Sequence, residues 1–464
     1  MKKISHYIAV ACLMSFFFSS CKIGTRFTAV EPSGMPPRFD TAHGEQSSDL
    51  SVNDIGWSTL YSDTILQGLI DRALENNKDI LVATARVKEM IAGKRIRFAS
   101  QLPEVSVEAG GQEEMLNYGG DNAARDPEFR ANMSMAWEVD VWGNLRWQND
   151  AAVAAYMQSV EARRALRLTI ISQVARAYFE LRALDRELTI VKQTLEAREQ
   201  GVRFAKLRYE GGLTSEIPYR QSLVELARTE TLVPEIEKAI KLKENDLAIL
   251  AGEYPSSYIP RGQRIDEIDF PSDLPVDLPS SLLRRRPDIL LAEQRLIERN
   301  ALVGAALTDM FPKLHLTGRL GGESDELSNF LSSPTWFISG FLTGPVFNFG
   351  KNKARHAAAR AAYEAEVHEY EKTVLNVFAE VNNAITSLEK ARAMRLSYRK
   401  LYDSARSYHQ LAQLQYINGI VAYLDVLDAQ RQLFDAEIAL NDATLLELIA
   451  TVDMYKALGG GIER

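Results

Sequence analysis

From Val374, apolar side chains recur at Phe378, Val381, Ile385 and Leu388, in steps of four, three, four and three. Steps of three and four keep these residues on one stripe of an α-helix, as in the seam of a coiled coil. The stretch that carries them, Lys351 to Asn418, holds glycine and proline nowhere, so one helix is expected across it. Asn144 to Gln200 is equally free of breakers and repeats the stripe in Ile171, Val174, Tyr178 and Leu181. Helices of that length reach roughly 85–100 Å at 1.5 Å per residue, whereas ordinary globular helices stay below about 25 residues. Gly211-Gly212 and Asn418-Gly419 then supply the left-handed backbone of a helix reversal. Second long helices are expected to return over Thr214–Ala251 and Val421–Leu458, closed by Gly252 and Gly459. Pro218 suits a first helical turn, and Pro234 is expected to kink or interrupt its helix.

The pattern occurs twice. Asp79–Arg86 and Asp288–Arg295 repeat one helix start at an offset of 209, which Pro103 and Pro312 keep. Gly143 and Gly350, Tyr156 and Tyr363, Tyr209 and Tyr416, and Gly212 and Gly419 are separated by 207. Offsets this steady mean two copies of one unit. Each copy is expected to open with one helix, Asp63–Ala99 or Ser280–Asp309, ended by its proline. A strand pair follows. Val105, Val107 and Ala109 alternate with Glu104, Ser106 and Glu108, and Met133, Met135, Trp137 and Val139 alternate with Asn132, Ser134, Ala136 and Glu138. In the second copy Leu314, Leu316 and Leu320 alternate with His315, Thr317 and Arg319, before an aromatic strand from Trp336 to Phe347. Period two gives each strand one apolar and one polar face. The polar segments Glu113–Phe129 and Glu323–Thr335 are expected to be exposed loops. The organisation is therefore 56–253 for the first copy, 254–279 for a linker, 280–460 for the second copy and 461–464 for a tail.

The N-terminus adds an address. Lys2 and Lys3 precede an apolar run from Tyr7 to Phe18, and Ser19-Ser20 lead to Cys21. This order reads as an export signal over 1–20. Small residues directly before a cysteine resemble a bacterial lipobox, which implies cleavage before Cys21 and its lipidation, with 21–55 as a tether. The other cysteine, Cys12, lies inside the signal, so disulfides and cysteine-bound zinc are excluded from the processed chain. Residues 1–20 hold two lysines and no acid, so 54 − 2 = 52 basic residues face 62 acidic ones, a net charge of −10. That balance argues against nucleic acid as a partner. With 46% hydrophobic and 25% charged residues, the chain can bury a core.

No stretch of about 20 apolar residues follows the signal, so no transmembrane helix is expected. Four amphipathic strands cannot close a barrel, and an open sheet edge is not tolerated in lipid. Strands that enter a membrane here must therefore be shared among several chains.

Three segments carry a family resemblance: Leu282-Leu283-Arg284-Arg285-Arg286-Pro287-Asp288 with Ala292-Glu293; Gly344-Pro345-Val346-Phe347-Asn348-Phe349-Gly350; and Gly419 through Arg431. With them the chain resembles the TolC-like outer membrane efflux proteins, in their NodT-type lipoprotein branch, over about Trp57 to Gly460. The resemblance implies a mainly α fold with a small β part. Long helical hairpins would form a periplasmic α-barrel, and four strands per chain would contribute to a twelve-stranded trimeric membrane β-barrel. It implies a homotrimer in the outer membrane lipid that docks with a periplasmic adaptor (membrane fusion) protein and an inner membrane pump and passes small-molecule efflux substrates. The competing reading is a periplasmic coiled-coil scaffold or adaptor lipoprotein without channel activity.

No enzyme motif stands out: the six histidines are scattered, without His-Glu-x-x-His, and Gly350-Lys351 lacks the rest of a phosphate loop. No cofactor or metal is expected. Asp425 and Asp428, three apart on one helix face, are the candidate periplasmic gate. The resemblance implies that such carboxylates line the entrance, with helix capping as the alternative. They align with Pro218 and Gln221 of the first copy, so the copies differ at the candidate gate. Tyr209, Gly211, Gly212, Tyr416, Asn418 and Gly419 mark candidate adaptor-docking turns, for which plain turn chemistry is the alternative. Val421 stands where related channels hold an arginine latch, so that polar latch is expected to be missing. Trp137, Trp142, Trp147, Trp336, Phe337, Phe341, Phe347 and Phe349 are expected to form a membrane-interface girdle, with packing inside a soluble sheet as the alternative.

Overall fold

The computed structural model describes residues 22–30, 34, 36, 39, 56–116, 124–255, 258–268, 282–329 and 332–460. The expected signal, Cys21, most of the tether and the 461–464 tail lie outside the described residues. In chain order the elements are α1 (Trp57–Leu60), α2 (Thr64–Asn76), α3 (Lys78–Ala99), β1 (Glu104–Leu116), β2 (Ala124–Val139), α4 (Asn144–Glu210) and α5 (Glu216–Leu250). The second copy adds α6 (Pro287–Thr308), β3 (Lys313–Ser324), β4 (Pro334–Thr343), α7 (Lys351–Ile417) and α8 (Tyr423–Ala457). No helix among the described residues is long and apolar enough to cross a membrane.

Contacts divide the chain into two compact units, one of 1–32, 85–161 and 290–373, the other of 33–84, 162–289 and 374–464. Each unit draws on both tandem copies. The second unit holds the coiled-coil stripes. Ile171, Val174, Tyr178 and Leu181 of α4 are buried, as are Val374, Val381, Ile385 and Leu388 of α7, with Phe378 packed against the same core. Each such side chain contributes about 1.5–3 kcal/mol on burial.

Buried Asp63 anchors this unit. Its carboxylate caps α2 by accepting from the Ile65 backbone N–H at 2.8 Å. It also accepts from the Tyr178 hydroxyl at 2.7 Å and from the Gln263 N–H at 2.9 Å, tying α2 to α4 and to the inter-copy segment.

The expected single helix over Asp63–Ala99 is two helices. Asn77 leaves the helical region (φ −58, ψ 128). Its Oδ1 accepts from the Asp79 N–H at 2.9 Å, and its Nδ2 donates to the Leu250 carbonyl at 2.9 Å. This asparagine ends one helix and caps the next, which is asparagine's usual competition with the helical backbone. In the second copy the described helix begins at Pro287, later than the expected Ser280. Pro234 does not interrupt α5. Proline removes one intrahelical bond, but Arg198 to the Glu225 carbonyl on one side, and buried Ile236 with the Lys192–Glu237 pair on the other, tie both flanks to α4.

The first unit carries one antiparallel sheet in the order β1-β2-β3-β4. Most of the expected loop Glu113–Phe129 is strand, since the ladder continues to Leu116 opposite Ala124. Backbone groups make the ladder, so polar side chains do not end it. Gln112 donates to Glu128 at 2.7 Å across the pair, and Arg130 pairs with Glu108 at 3.0 Å. β4 ends at Thr343 rather than Phe347. Gly344 lies so close to Pro312 that a Cβ there would sit 2.8 Å from its Cα, and Pro345 has no N–H to donate.

Candidate channel surfaces and helix tip

Directly opposed residues of an antiparallel sheet share a face. The register therefore sums the four alternating strands into two surfaces. Val107 pairs with Met133, Met133 with Leu320 and Leu320 with Trp336; Val105, Met135 and Ile338 continue the same face. These side chains are exposed, so a continuous apolar surface faces outward from the sheet. The opposite face carries Glu104, Ser106, Glu108, Asn132, Ser134, His315, Thr317 and Arg319. Ser106 and Ser134 hydrogen-bond across it at 2.8 Å.

Of the aromatics expected at a membrane interface, Trp336, Phe337, Phe341, Phe347 and Phe349 are exposed. Trp336 lies on the apolar face, but Phe337 and Phe341 stand opposite Arg319 and His315 on the other face, and Trp147 is buried against Ala301 and Ala305 of α6. Trp142 is half-buried, its ring 5.2 Å from that of Phe311 and its indole N–H donating to the Pro312 carbonyl at 2.7 Å.

In the second unit both helix reversals are the same motif. After α4 the Leu213 N–H donates to the Arg208 carbonyl and the Gly212 N–H to the Tyr209 carbonyl, each at 2.9 Å. After α7 the Ile420 N–H donates to Gln415 at 2.9 Å and the Gly419 N–H to Tyr416 at 3.0 Å. These crossed bonds are the Schellman closure, and Gly212 (φ 71) and Gly419 (φ 75) hold its left-handed position. Sequence reading missed what surrounds the turns. Leu207, Leu213 and Ile217 are exposed, and so are Leu414, Ile420 and Leu424, the same positions 207 residues on. Helical periodicity alone assigns such residues to a core.

The hairpins meet at an aromatic cluster. Ala205, Tyr416, Tyr423 and Val426 are buried together, with Tyr219, Val421 and Leu427 against them. Tyr416 and Tyr423 lie 5.3 Å apart, Tyr209 stacks on Tyr219 at 6.3 Å, and the Arg208 guanidinium sits 5.2 Å from the Tyr416 ring. Burial, with Tyr416 close by, pushes the Tyr423 hydroxyl up to about 12. Val421 packs against this cluster as well.

Asp425 and Asp428 stand one turn apart at the start of α8, and both carboxylates have partners on their own helix. Asp425 accepts from the Ala422 N–H at 3.0 Å. Asp428 accepts from Arg431 and Gln432, each at 2.6 Å.

A family profile described as "Outer membrane efflux protein" matches residues 69–253 and 278–460. The chain belongs to this family. Outer membrane protein OprJ of Pseudomonas aeruginosa is 32% identical over 430 residues, covering 90% of this chain and 88% of OprJ. The probable outer membrane lipoprotein SilC of Salmonella typhimurium is 29% identical over 436 residues, 93% of each chain. The open state of the Neisseria gonorrhoeae MtrE outer membrane channel superposes with a TM-score of 0.88 at 28% identity, over 95% of this chain and 98% of that one. Membership of the outer membrane efflux family makes the chain an outer membrane channel subunit of an efflux system, and sets aside the scaffold reading. Members of the family are channel proteins rather than enzymes.

Proposed function

We propose that three copies of this chain close one duct through which small molecules pass from periplasm to exterior. The observation that carries this reading is the sheet: one continuous apolar face, an opposite face that is polar over β1, β2 and β3 while β4 adds Phe337 and Phe341, and β1 and β4 as edges with no strand beside them among the described residues. An edge of unpaired backbone groups in hydrocarbon costs several kcal/mol per group, so the edges call for further copies. Three chains of four strands give twelve, an even number as antiparallel closure requires.

Cys21 is the proposed lipid attachment, in keeping with the likeness to SilC. The next residues are held beside the strand ends. The Ile23 N–H donates to the Trp142 carbonyl at 3.1 Å, and Lys22 pairs with Asp150 and lies over the Trp147 ring. Acyl chains on Cys21 would then enter the bilayer near the foot of the barrel. Cys21→Ser should abolish labelling by radioactive palmitate; undiminished label would place acylation elsewhere.

The two helix reversals, with Tyr209, Gly211, Gly212, Tyr416, Asn418 and Gly419, are the proposed docking sites for a periplasmic adaptor that links the duct to an inner membrane pump. Six exposed apolar side chains in two matched sets give that partner a surface to cover. Asp425 and Asp428 are the proposed gate: one pair per chain makes two stacked acidic rings, which attract cations and repel anions. Asp425→Asn with Asp428→Asn keeps hydrogen-bond acceptors while removing charge. The double variant should lose much of the channel's cation preference and conduct more; wild-type conductance and selectivity would leave these residues as helix caps alone.

A further inference from the structure

One stretch of the second unit belongs to neither copy. The segment between them, described over 258–268, lies outside both matched stretches, 69–253 and 278–460. It is laid along α4: the Gly262 N–H donates to the Tyr178 hydroxyl at 2.9 Å, and the Gln263 carbonyl accepts from Arg182 at 3.0 Å. Between the segment and α4 is a cavity of about 300 Å³. Four arginines line it, Arg182 and Arg186 from α4 with Arg261 and Arg264 from the segment, and the one acid among the lining residues is Asp185. Four cations against one anion leave a surplus of three positive charges, in a chain whose overall balance is acidic. Thr189 also lines the cavity, but its hydroxyl donates to the Asp185 carbonyl at 2.8 Å. Recognition there falls to the guanidiniums.

Two of these are fixed and two are available. Arg182 is buried and donates to Asp185 at 2.6 Å as well as to the Gln263 carbonyl. Arg261 donates to the same carboxylate at 3.1 Å and pairs with Glu244 of α5 at 2.7 Å. Guanidiniums already held in place lose little freedom when a ligand arrives. Arg264 pairs with its own neighbours Asp266 and Glu267, all three exposed, and such pairs are weak. Arg186 is half-buried and makes no hydrogen bond and no ion pair among the described residues. Glu437 of α8 senses its charge without pairing with it.

The duplication supplies an internal control. Leu181 of α4 and Leu388 of α7, 207 apart, are both buried, so the two helices correspond here. From the next residue on they diverge: Arg182, Asp185, Arg186 and Thr189 correspond to Glu389, Arg392, Ala393 and Leu396. Arg392 turns instead to Glu447 of α8. The helical scaffold therefore does not require the four arginines. They occur where α4 faces the extra segment.

We propose that this cavity binds a small organic anion carrying two or more carboxylate or phosphate groups. Guanidinium forks match both groups bidentately. The volume is that of a small-molecule site, and the surplus charge calls for more than one anionic group. Bound between α4 and the segment, the anion ties the joint between the two copies. The site is built from one chain alone and stands apart from the channel reading.

Isothermal titration calorimetry of the full-length protein, in a neutral detergent at low salt, tests this with citrate, fructose 1,6-bisphosphate and acetate. At least one polyanion should bind once per chain and more tightly than acetate, which offers a single carboxylate. Binding of citrate alone marks a carboxylate site, and binding of the bisphosphate alone a phosphate site. Arg186→Gln should melt with the wild type in the absence of ligand, because Arg186 holds no bond, yet weaken that binding roughly ten- to a hundredfold. Arg264→Gln, on the exposed segment, should weaken it as well. The bound polyanion should raise the thermal midpoint of the wild type by mass action. Polyanions that bind no better than acetate, or that bind both variants as tightly as the wild type, overturn the site.

Discussion

Replacing Arg286 with alanine is expected to lower stability by about 2–3 kcal/mol. The arginine sits just before α6 in the triple-arginine segment and is 7% exposed at its side chain. Its guanidinium forks onto Asp288 at 3.0 and 2.8 Å, reaches Glu380 of α7 at 2.6 Å and donates to the Ala457 carbonyl at the end of α8. Burial by itself pushes the guanidinium down, but Asp288 and Glu380 outweigh it and leave the group raised. Removing one partner of a fully buried ion pair costs about 3–5 kcal/mol. Asp288 and Glu380 are partly exposed here, so water recovers some of that loss. Arg286→Lys keeps the charge and loses the fork, so its loss should be intermediate. The apparent thermal midpoint of the purified protein in detergent checks the order: wild type above lysine above alanine. An alanine variant that melts with the wild type would mean that this junction is held by packing alone.

Tyr423→Ala is expected to loosen the tip and raise conductance. Tyr423 begins α8 and is buried against Tyr416, with Ala205 of α4 in the same cluster. Its hydroxyl lies so near α4 that a Cβ on Gly201 would meet it at 3.1 Å. It therefore clasps one helical hairpin to the other. Truncating a buried aromatic costs about 3–5 kcal/mol. If opening parts these hairpins, a loss of that size moves the balance between closed and open forms by roughly two powers of ten or more. Tyr423→Phe keeps the ring and should stay near wild type. Single-channel recording checks this: alanine and phenylalanine variants with equal conductance would show that the clasp does not restrain the entrance.

The parts of the fold legible in the sequence are those set by local pattern. The stripes through Val374 and Ile171 and the glycine reversals each depend on a few neighbouring residues, and each stands in the structure as read. The break at Asn77 is not legible in the sequence because asparagine within a helical pattern is a cap only when its side chain turns back on the backbone, which periodicity does not register. The extent of β1 and β2 was hidden because polar side chains on both faces look like loop, although the backbone ladder is indifferent to them. The burial of Trp147 is not legible because its partner Gly304 is far along the chain, and no local signal ties an indole to a distant glycine. The aromatic clasp is hidden in the same way: Tyr416 reads as part of a turn, and nothing local ties it to Tyr423 and Ala205. At the tip, spacing put Asp425 and Asp428 on one face. Their hydrogen bonds to Ala422, Arg431 and Gln432 account for them as helix residues and leave their role at the entrance to the variants proposed above.

Channel formation is tested most directly by recording the purified, full-length protein in planar lipid bilayers, with its mass measured in the same detergent. The account predicts a particle three times the mass of the processed chain that inserts in discrete, cation-preferring current steps. A monomer, or a trimer that leaves the bilayer electrically silent, would contradict it.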